Sequence, residues 1–381
     1  MRKLIAIAAI SFFVVACSVS MSKLQPKGMN IPAGTFEDTL RFLYSLPSDK
    51  WPAPFIDSTI VWKELGIIPE SPLKPYMDSL KHLVQLGKIL FFDRRLSGSN
   101  QISCASCHIP DLSWTDGRSK SLGHDHQMNK RNSPTLLNVW YYKQLFWDGR
   151  SRSLEDQAFG PINSETEMHS DMAEVMMKLR RIPGYKPLFD SAYGRPEISP
   201  ETVTGALAAF QRTLVSRKSD FDDFLSGEKN AMSDAALRGL HLFRTKAGCM
   251  NCHNGPLFTD NDFHNIGLTY YKQEHEDLGR YAVTHRAEDI GRFKTPSLRD
   301  VIRTRPWMHN GLFDNINELM NMYNAGMPLP GAGAVGDTLS PKKDRLIHRL
   351  GLTKQERDDI ISFLNAITAE PLRMRMPAMP E

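Results

Sequence analysis

Two short segments of this chain each carry a pair of cysteines followed directly by a histidine. They are Cys104, Cys107 and His108 in one segment and Cys249, Cys252 and His253 in the other. The pattern C-x-x-C-H is the attachment signature of haem c. The two thiols can bond to the vinyl groups of the porphyrin, and the imidazole that follows can bind the iron. The sequence therefore predicts two covalently bound haem c groups, each with one histidine ligand.

Cysteine pairs of this spacing also occur in other kinds of site. Half of a zinc site is one alternative, and a thioredoxin-like dithiol is another, although that dithiol needs a parallel strand and a helix around it. Neither alternative accounts for a histidine directly after both pairs. The two pairs use four of the five cysteines and leave only Cys17, so haem attachment is the better interpretation.

The segments around both motifs have the apolar spacing of helices. Before the first motif, apolar residues and Gly87 share one helix face, and a second such face runs over 203–214 behind Ser199 as its cap. Ser233 is the cap predicted for the helix that leads into the second motif, and Thr353 begins a capping box. Strict alternation over the length of a strand is hard to find, so the predicted fold class is all-α or nearly all-α.

Short motifs recur in the same order in both halves of the chain. Leu86 and Gly87 precede the first cysteine motif as Gly239 and Leu240 precede the second. Each half therefore resembles one copy of a cytochrome-like module. The predicted division is a proline-rich arm over 18–78, an N-terminal haem c domain over 79–229 and a C-terminal haem c domain over 230–381. The methionine-rich C-terminal end is expected to be disordered.

Composition limits the classes of partner. The chain has 381 residues, of which 41% are hydrophobic and 24% charged, which is ordinary for a soluble globular protein. The formal net charge is +4, and no basic run stands out, so no nucleic-acid partner is expected.

The first residues have the pattern of an export signal. Arg2 and Lys3 precede an apolar stretch over 4–16, which is shorter than the roughly 20 residues that a membrane-spanning helix needs. The stretch ends in Val-Val-Ala followed by Cys17, which is similar to the lipobox of bacterial lipoproteins; an ordinary signal peptide cleaved nearby is the alternative. We therefore expect a signal peptide over 1–17, a periplasmic protein, and membrane contact only through a lipid on Cys17.

From about residue 83 to residue 368 the chain resembles the bacterial dihaem cytochrome c peroxidases. The matching motifs, besides both cysteine motifs, lie at 86–93, 95–98, 131–135, 147–150 and 306–311. The resemblance implies two cytochrome c-like domains packed face to face. It also implies that the C-terminal haem receives electrons from a small cytochrome c or copper protein, that the N-terminal haem reduces hydrogen peroxide to water, and that the protein is a homodimer.

The resemblance assigns further roles position by position. His124 falls where such peroxidases keep a distal histidine that caps the N-terminal haem in the resting form, and Glu167 and Gln157 fall at the distal acid and its neighbour. Trp147 falls at the tryptophan between the haems. Without the family match, the first three would be read as polar loop residues and Trp147 as a core anchor. Asn132, Thr304 and Pro306 fall at an interdomain calcium site, where amide and backbone oxygens suit a hard cation.

One position departs from the peroxidase pattern. The methionine ligand of the C-terminal haem falls on Tyr323, as it does in the dihaem oxidases that mature methylamine dehydrogenase by oxidising tryptophans of a partner protein. A phenolate stabilises ferric iron and lowers the haem potential, whereas a thioether raises it. Met320, Met322 and Met327 lie close enough in sequence that a small register shift would restore a sulfur ligand.

The leading functional hypothesis is a dihaem peroxidase. Peroxide would bind at the iron held by His108, and Glu167 would move a proton from the near to the far oxygen so that water leaves. An oxidase that acts on a protein or an organic substrate through a high-valent state is the alternative that Tyr323 favours. A non-catalytic dihaem electron carrier is an alternative from a different class.

Overall fold

The computed structural model describes residues 33–331, 333 and 336–381. Within them the regular secondary structure is almost entirely helical, with short 3₁₀ turns between longer helices, so the prediction of a nearly all-α fold is confirmed. The helices are α1 Phe36–Tyr44, α2 Met77–Phe92, α3 Cys104–Cys107, α4 Leu154–Asn163, α5 Met172–Arg180, α6 Tyr185–Tyr193, α7 Pro200–Gln211, α8 Asp220–Leu225, α9 Asp234–Arg244, α10 Tyr281–Thr284, α11 Ile316–Ala325 and α12 Lys354–Ala366. Strands β1 Phe263–His264 and β2 Phe293–Lys294 pair antiparallel.

The predicted caps are found where the local sequence places them. Ser199 and Ser233 accept hydrogen bonds from the first turns of α7 and α9, and Thr353 forms a capping box with Glu356 at the start of α12. Such side chains satisfy backbone N–H groups that would otherwise lack a partner at the helix start. These three helix starts are therefore fixed by local sequence.

Helix α2 crosses α7 at Gly87, at a separation that only glycine permits. A Cβ atom at this position would lie 1.8 Å from the carbonyl oxygen of Ala206. Helix α9 crosses α12 in the same way at Gly239, where a Cβ atom would lie 2.0 Å from the carbonyl oxygen of Asp359. The sequence repeat thus corresponds to two equivalent helix crossings, and each crossing lies just before a cysteine motif.

Each crossing belongs to its own hydrophobic core. The first core is built mainly from α2, α4, α5, α6 and α7, and the second from α1, α8, α9, α11 and α12. Within the predicted arm, the segment that includes α1 packs on the second core, where Arg41 bonds Asp234 at 2.6 Å and Glu37 bonds Arg238 at 2.8 Å. The boundaries at 78, 229 and 230 stay predictions.

The expectation of a disordered C-terminal end is wrong. Met374 and Met379 pack against the first core, although they follow α12 of the second core. The carbonyl oxygen of Pro380 accepts a hydrogen bond from Arg95 at 3.0 Å, and that of Glu381 accepts one from Gly184 at 2.8 Å. The chain end is thus held by tertiary contacts that its own composition does not reveal.

No helix in the described part of the chain is both long and apolar enough to cross a membrane. The predicted signal peptide over 1–17 and the lipid site at Cys17 lie outside the described residues.

Candidate functional site

The first cysteine motif forms a single helical turn that ends at the predicted ligand. Helix α3 begins after Ser103, whose backbone N–H donates to the hydroxyl oxygen of Ser106 at 3.0 Å. His108 follows, and its Nδ1 lies 3.0 Å from the carbonyl oxygen of Trp114. A carbonyl oxygen only accepts hydrogen bonds, so Nδ1 carries the proton and Nε2 keeps a free lone pair. Metal-binding histidines are typically oriented in this way.

The second motif repeats this arrangement. His253 follows Cys249 and Cys252, and its Nδ1 lies 3.0 Å from the carbonyl oxygen of Phe258. Burial lowers the pKa of both His108 and His253, which favours the neutral imidazole that a metal requires. Both histidines are therefore prepared to bind a metal through Nε2.

The chemistry of the thiols argues against the two alternatives. Burial raises the pKa of Cys104 and Cys249 to about 12 and that of Cys107 to about 11, whereas a reactive dithiol needs a lowered pKa. Among the described residues, the cluster with metal-ligand spacing is Cys252, Asp260 and His264, which leaves Cys249 out. Neutral thiol pairs beside a cavity and an oriented histidine fit haem c attachment in both halves.

The first motif opens onto a large cavity. Its volume is about 920 Å³, near the upper end of the range of about 300–1,000 Å³ for cofactor and substrate sites. Cys104, Cys107 and His108 border it together with Gln157 and Glu167. Burial raises the pKa of Glu167, with Arg150 opposing that effect. The structure therefore brings the predicted distal acid and its neighbour to the same cavity as the first haem motif.

His124 is the predicted site residue that the structure does not place in this cavity wall. Its ring stacks on that of His169, with centroids 4.3 Å apart and planes 9° from parallel. Its backbone N–H donates to the carbonyl oxygen of Glu167 at 2.8 Å, and its buried Nδ1 has no hydrogen-bond partner among the described residues. His124 thus packs against the backbone of Glu167 and the ring of His169, and its role as a distal ligand stays a prediction.

The second motif borders a separate cavity that contains the predicted tyrosine ligand. His253 and Tyr323 both line it, and burial raises the pKa of the Tyr323 phenol. Of the three methionines that a register shift would recruit, Met320 lines this cavity, whereas Met322 and Met327 are not among its lining residues. The geometry therefore leaves Tyr323 and Met320 as the candidates on α11.

Trp147 lies where the two cavities approach each other. It lines both of them, and its indole N–H donates to the carbonyl oxygen of Asn132 at 2.9 Å. His309 also lines both cavities, stacks on Phe293 at 3.5 Å between centroids and meets the Trp147 ring edge to face at 6.4 Å. Burial lowers the pKa of His309 to about 3, so this ring is neutral.

The sequence analysis gave no role to His309, which lies in the matching motif at 306–311, or to His264, which lies in none of those motifs. His264 lines the second cavity and bonds Asp344 through Nδ1 at 2.6 Å and Asp260 through Nε2 at 2.9 Å. Although burial alone would lower its pKa, these carboxylates raise it to about 12. The imidazolium is therefore fully paired, and the spacing of Asp260 and His264 by four residues is the only local signal for it.

The residues predicted to bind calcium are all among those that line the second cavity. Asn132, Thr304 and Pro306 all border it. The side-chain amide N–H of Asn132 donates to the carbonyl oxygen of Arg118 at 2.9 Å, and this leaves Oδ1 without a hydrogen-bond donor among the described residues. Oxygen ligands of this kind fit Ca²⁺.

Comparison with known proteins identifies the family. A model of the di-haem cytochrome c peroxidase family matches residues 81–230. Methylamine utilization protein MauG of Methylophilus methylotrophus is 40% identical over 300 residues, which cover 78% of this chain and 85% of the relative. Cytochrome-c peroxidase IdrP1 of Denitromonas iodatirespirans is 38% identical over 346 residues, which cover 83% and 89%.

A solved structure agrees with these sequence matches. The crystal structure of a MauG-like protein associated with microbial copper homeostasis superposes with a TM-score of 0.68 at 30% identity, covering 85% of this chain and 95% of that one. The chain belongs to the di-haem cytochrome c peroxidase family. This confirms the predicted family and the prediction of a peroxidase-class enzyme, and membership implies two haem c groups.

Proposed function

We propose that this protein is an exported dihaem peroxidase in which two cytochrome c-like domains meet face to face. It reduces hydrogen peroxide to water in the first cavity. The second haem receives the electrons from a small cytochrome c or copper protein. Cys104 and Cys107 hold the first haem and Cys249 and Cys252 the second, with His108 and His253 as iron ligands. The haem irons supply the redox chemistry.

The observation that carries this proposal is the partly buried carboxyl of Glu167 in the cavity of the first motif. A carboxylate there accepts a proton from one peroxide oxygen and returns it to the other, so that the departing oxygen leaves as water. General acid–base catalysis of this kind contributes about 100-fold to 10,000-fold. Gln157 borders the same space and orients the peroxide by hydrogen bonding. His124 reaches the cavity only if its loop moves relative to Glu167.

Electron delivery depends on the region shared by the two cavities. Trp147 lines both, and its side chain is held by the carbonyl oxygen of Asn132. We assign Trp147 to electron transfer between the haems. Calcium held by Asn132, Thr304 and Pro306 would fix the segments that position it.

The Glu167→Gln variant tests the proposal. We expect at least a 100-fold loss of steady-state peroxide reduction, because glutamine keeps the size of the side chain but cannot accept the proton. Both haems should stay attached, as checked by the pyridine haemochrome spectrum. Full activity of the variant would refute the assignment of Glu167, and an absence of haem from the wild-type protein matured in a competent host would refute the whole proposal.

A second candidate function has its own supporting observation, which is the tyrosine in the second cavity. A phenolate ligand lowers the potential of the second haem, which favours oxidation of a protein or an organic substrate over turnover of peroxide with a donor. The 40% identity to MauG supports the same candidate. The sulfur-to-iron charge-transfer band of methionine-ligated ferric haem would exclude Tyr323 as the ligand if it were present in the wild-type spectrum.

The remaining proposals concern location and assembly. The apolar stretch over 4–16 and Cys17 support export to the periplasm with a lipid anchor, and family resemblance supports a homodimer. Labelling with a radioactive fatty acid tests the anchor, because the Cys17→Ser variant should lose the label. A dihaem electron carrier without catalysis is excluded if the fully reduced protein, in which both irons are ferrous, binds carbon monoxide and the protein turns over peroxide.

A further inference from the structure

Lys294 is a partly buried cation at the wall of the second cavity. It lies on β2, and its ammonium donates to the carbonyl oxygen of Gln144 at 3.1 Å and sits 3.8 Å from the centre of the Tyr142 ring. Its backbone N–H donates to the carbonyl oxygen of Trp147 at 2.8 Å. The same residue therefore contacts the second cavity and the segment that carries the tryptophan between the cavities.

The ammonium of Lys294 lacks an anionic partner among the described residues. Burial lowers its pKa to about 7, and only Asp148 opposes that effect. Asp148 is already engaged by Arg131 at 2.6 Å and by Arg150 at 2.9 Å. A buried charge is costly unless it is paired, so this geometry calls for an anion supplied by the occupant of the cavity.

Of the other basic side chains at the cavity, His253 is the proposed iron ligand, and Nδ1 of His348 lies 3.2 Å from the carbonyl oxygen of Leu346. Lys294 is the only lysine or arginine among the described residues that line it. His264 is held by Asp260 and Asp344, and His309 is neutral. A carboxylate on the occupant would therefore find its strongest partner in Lys294.

We propose that Lys294 binds a propionate carboxylate of the haem in the second cavity and thereby joins that haem to the Trp147 segment. This inference rests on the proposed attachment of haem at Cys249 and Cys252. The added positive charge stabilises the reduced, more negative haem and raises its reduction potential. Lys294 is therefore a positioning residue for the second haem. Its effect on the reduction potential is opposite to that of a phenolate ligand from Tyr323, which lowers the potential.

The test is the reduction potential of the second haem in the holoprotein, measured by spectroelectrochemical titration. In Lys294→Met and Lys294→Gln, we expect the one-electron equilibrium to move at least tenfold toward the ferric form, which is about 59 mV. Lys294→Arg keeps the charge and should keep the wild-type potential. The matched control is Lys246→Gln, because Lys246 lies at the surface near the same motif and pairs with Glu356 at 2.7 Å. The reduction potential of the second haem should stay unchanged in Lys246→Gln, because solvent and salt screen the charge of a surface side chain.

The outcomes separate this inference from the proposed function. A wild-type potential in both Lys294→Met and Lys294→Gln, with two haems bound, would overturn the role of Lys294 and leave the peroxidase proposal intact. If one of these two variants fails to fold, the other decides. A wild-type protein without a second haem would instead overturn the proposed function on which the inference depends.

Discussion

Glu167 is the residue at which burial most directly sets the proposed chemistry. Burial raises its pKa above the ordinary glutamate value of about 4.3. Because the carboxylate form must accept the proton, peroxide turnover should fall as the pH falls through this raised pKa. The acidic limb of the pH profile then lies above the ordinary glutamate value.

The pH profile of kcat/KM checks this expectation and needs a matched control. Glu174 lies on α5, pairs with Lys178 at 2.7 Å and does not line the first cavity. Glu174→Gln should therefore keep the wild-type profile, whereas Glu167→Gln should lose the acidic limb together with most of the rate. A limb that survives in Glu167→Gln would show that another group controls it.

Tyr323 sets the ligand chemistry of the second haem. In Tyr323→Met we expect the reduction potential of the second haem to rise, because a thioether favours ferrous iron where a phenolate favours ferric iron. The one-electron equilibrium should move at least tenfold toward the ferrous form, which is about 59 mV. The charge-transfer band of methionine-ligated haem should appear with it. Met320→Leu is the control, because it removes the other candidate of α11 and should leave the spectrum unchanged. If Met320→Leu alone changes the ligand-field spectrum, Met320 is the ligand.

At the scale of elements, the glycines of the weak sequence repeat, Gly87 and Gly239, each allow two helices to pack closely. In Gly87→Ala and Gly239→Ala, the new methyl group would overlap a carbonyl oxygen of the crossing helix. Overpacking of this kind typically costs about 1–3 kcal/mol. We expect each variant to lose this much in its free energy of unfolding, as measured by urea denaturation. Gln85→Ala on the exposed face of α2 is the control and should be close to neutral.

Local sequence determines where several helices begin, but not the side-chain contacts between distant parts of the chain. The starts of α7, α9 and α12 were predictable because their caps act within a few residues. The role of His309 was not, because it depends on contacts with Phe293 and Trp147 that are distant along the chain. The charge of His264 depends in the same way on Asp344, 80 residues away. The candidate site was predicted where a short motif carries the chemistry, and was missed where tertiary packing brings the partners together.

At the scale of the whole molecule, one buried ion pair joins the N-terminal arm to the second core. Asp222 on α8 bonds Arg299 at 2.6 Å, and both side chains are almost fully buried. Asp222 also accepts the backbone N–H of Ile68 at 2.8 Å, and Arg299 donates to the carbonyl oxygen of Gly66 at 2.7 Å. This pair thus connects the arm to the helices of the second core.

Removal of one partner should destabilise this part of the molecule strongly. Asp222→Asn leaves Arg299 buried without a counter-ion, for which we expect a loss of about 3–5 kcal/mol in the free energy of unfolding. Although burial alone would raise the pKa of Asp222, Arg299 and Ser219 lower it. The contribution of a carboxyl group with a lowered pKa is fully present above its unfolded pKa of about 3.9 and is lost as the pH falls through the folded value. Urea denaturation at several pH values should therefore show the difference between wild type and Asp222→Asn narrowing only in acid. Asp220→Asn, on the exposed face of the same helix, is the control and should have the stability of the wild type at every pH. If the difference in free energy of unfolding between wild type and Asp222→Asn stayed constant into strong acid, the charge of this pair would not be what holds the arm.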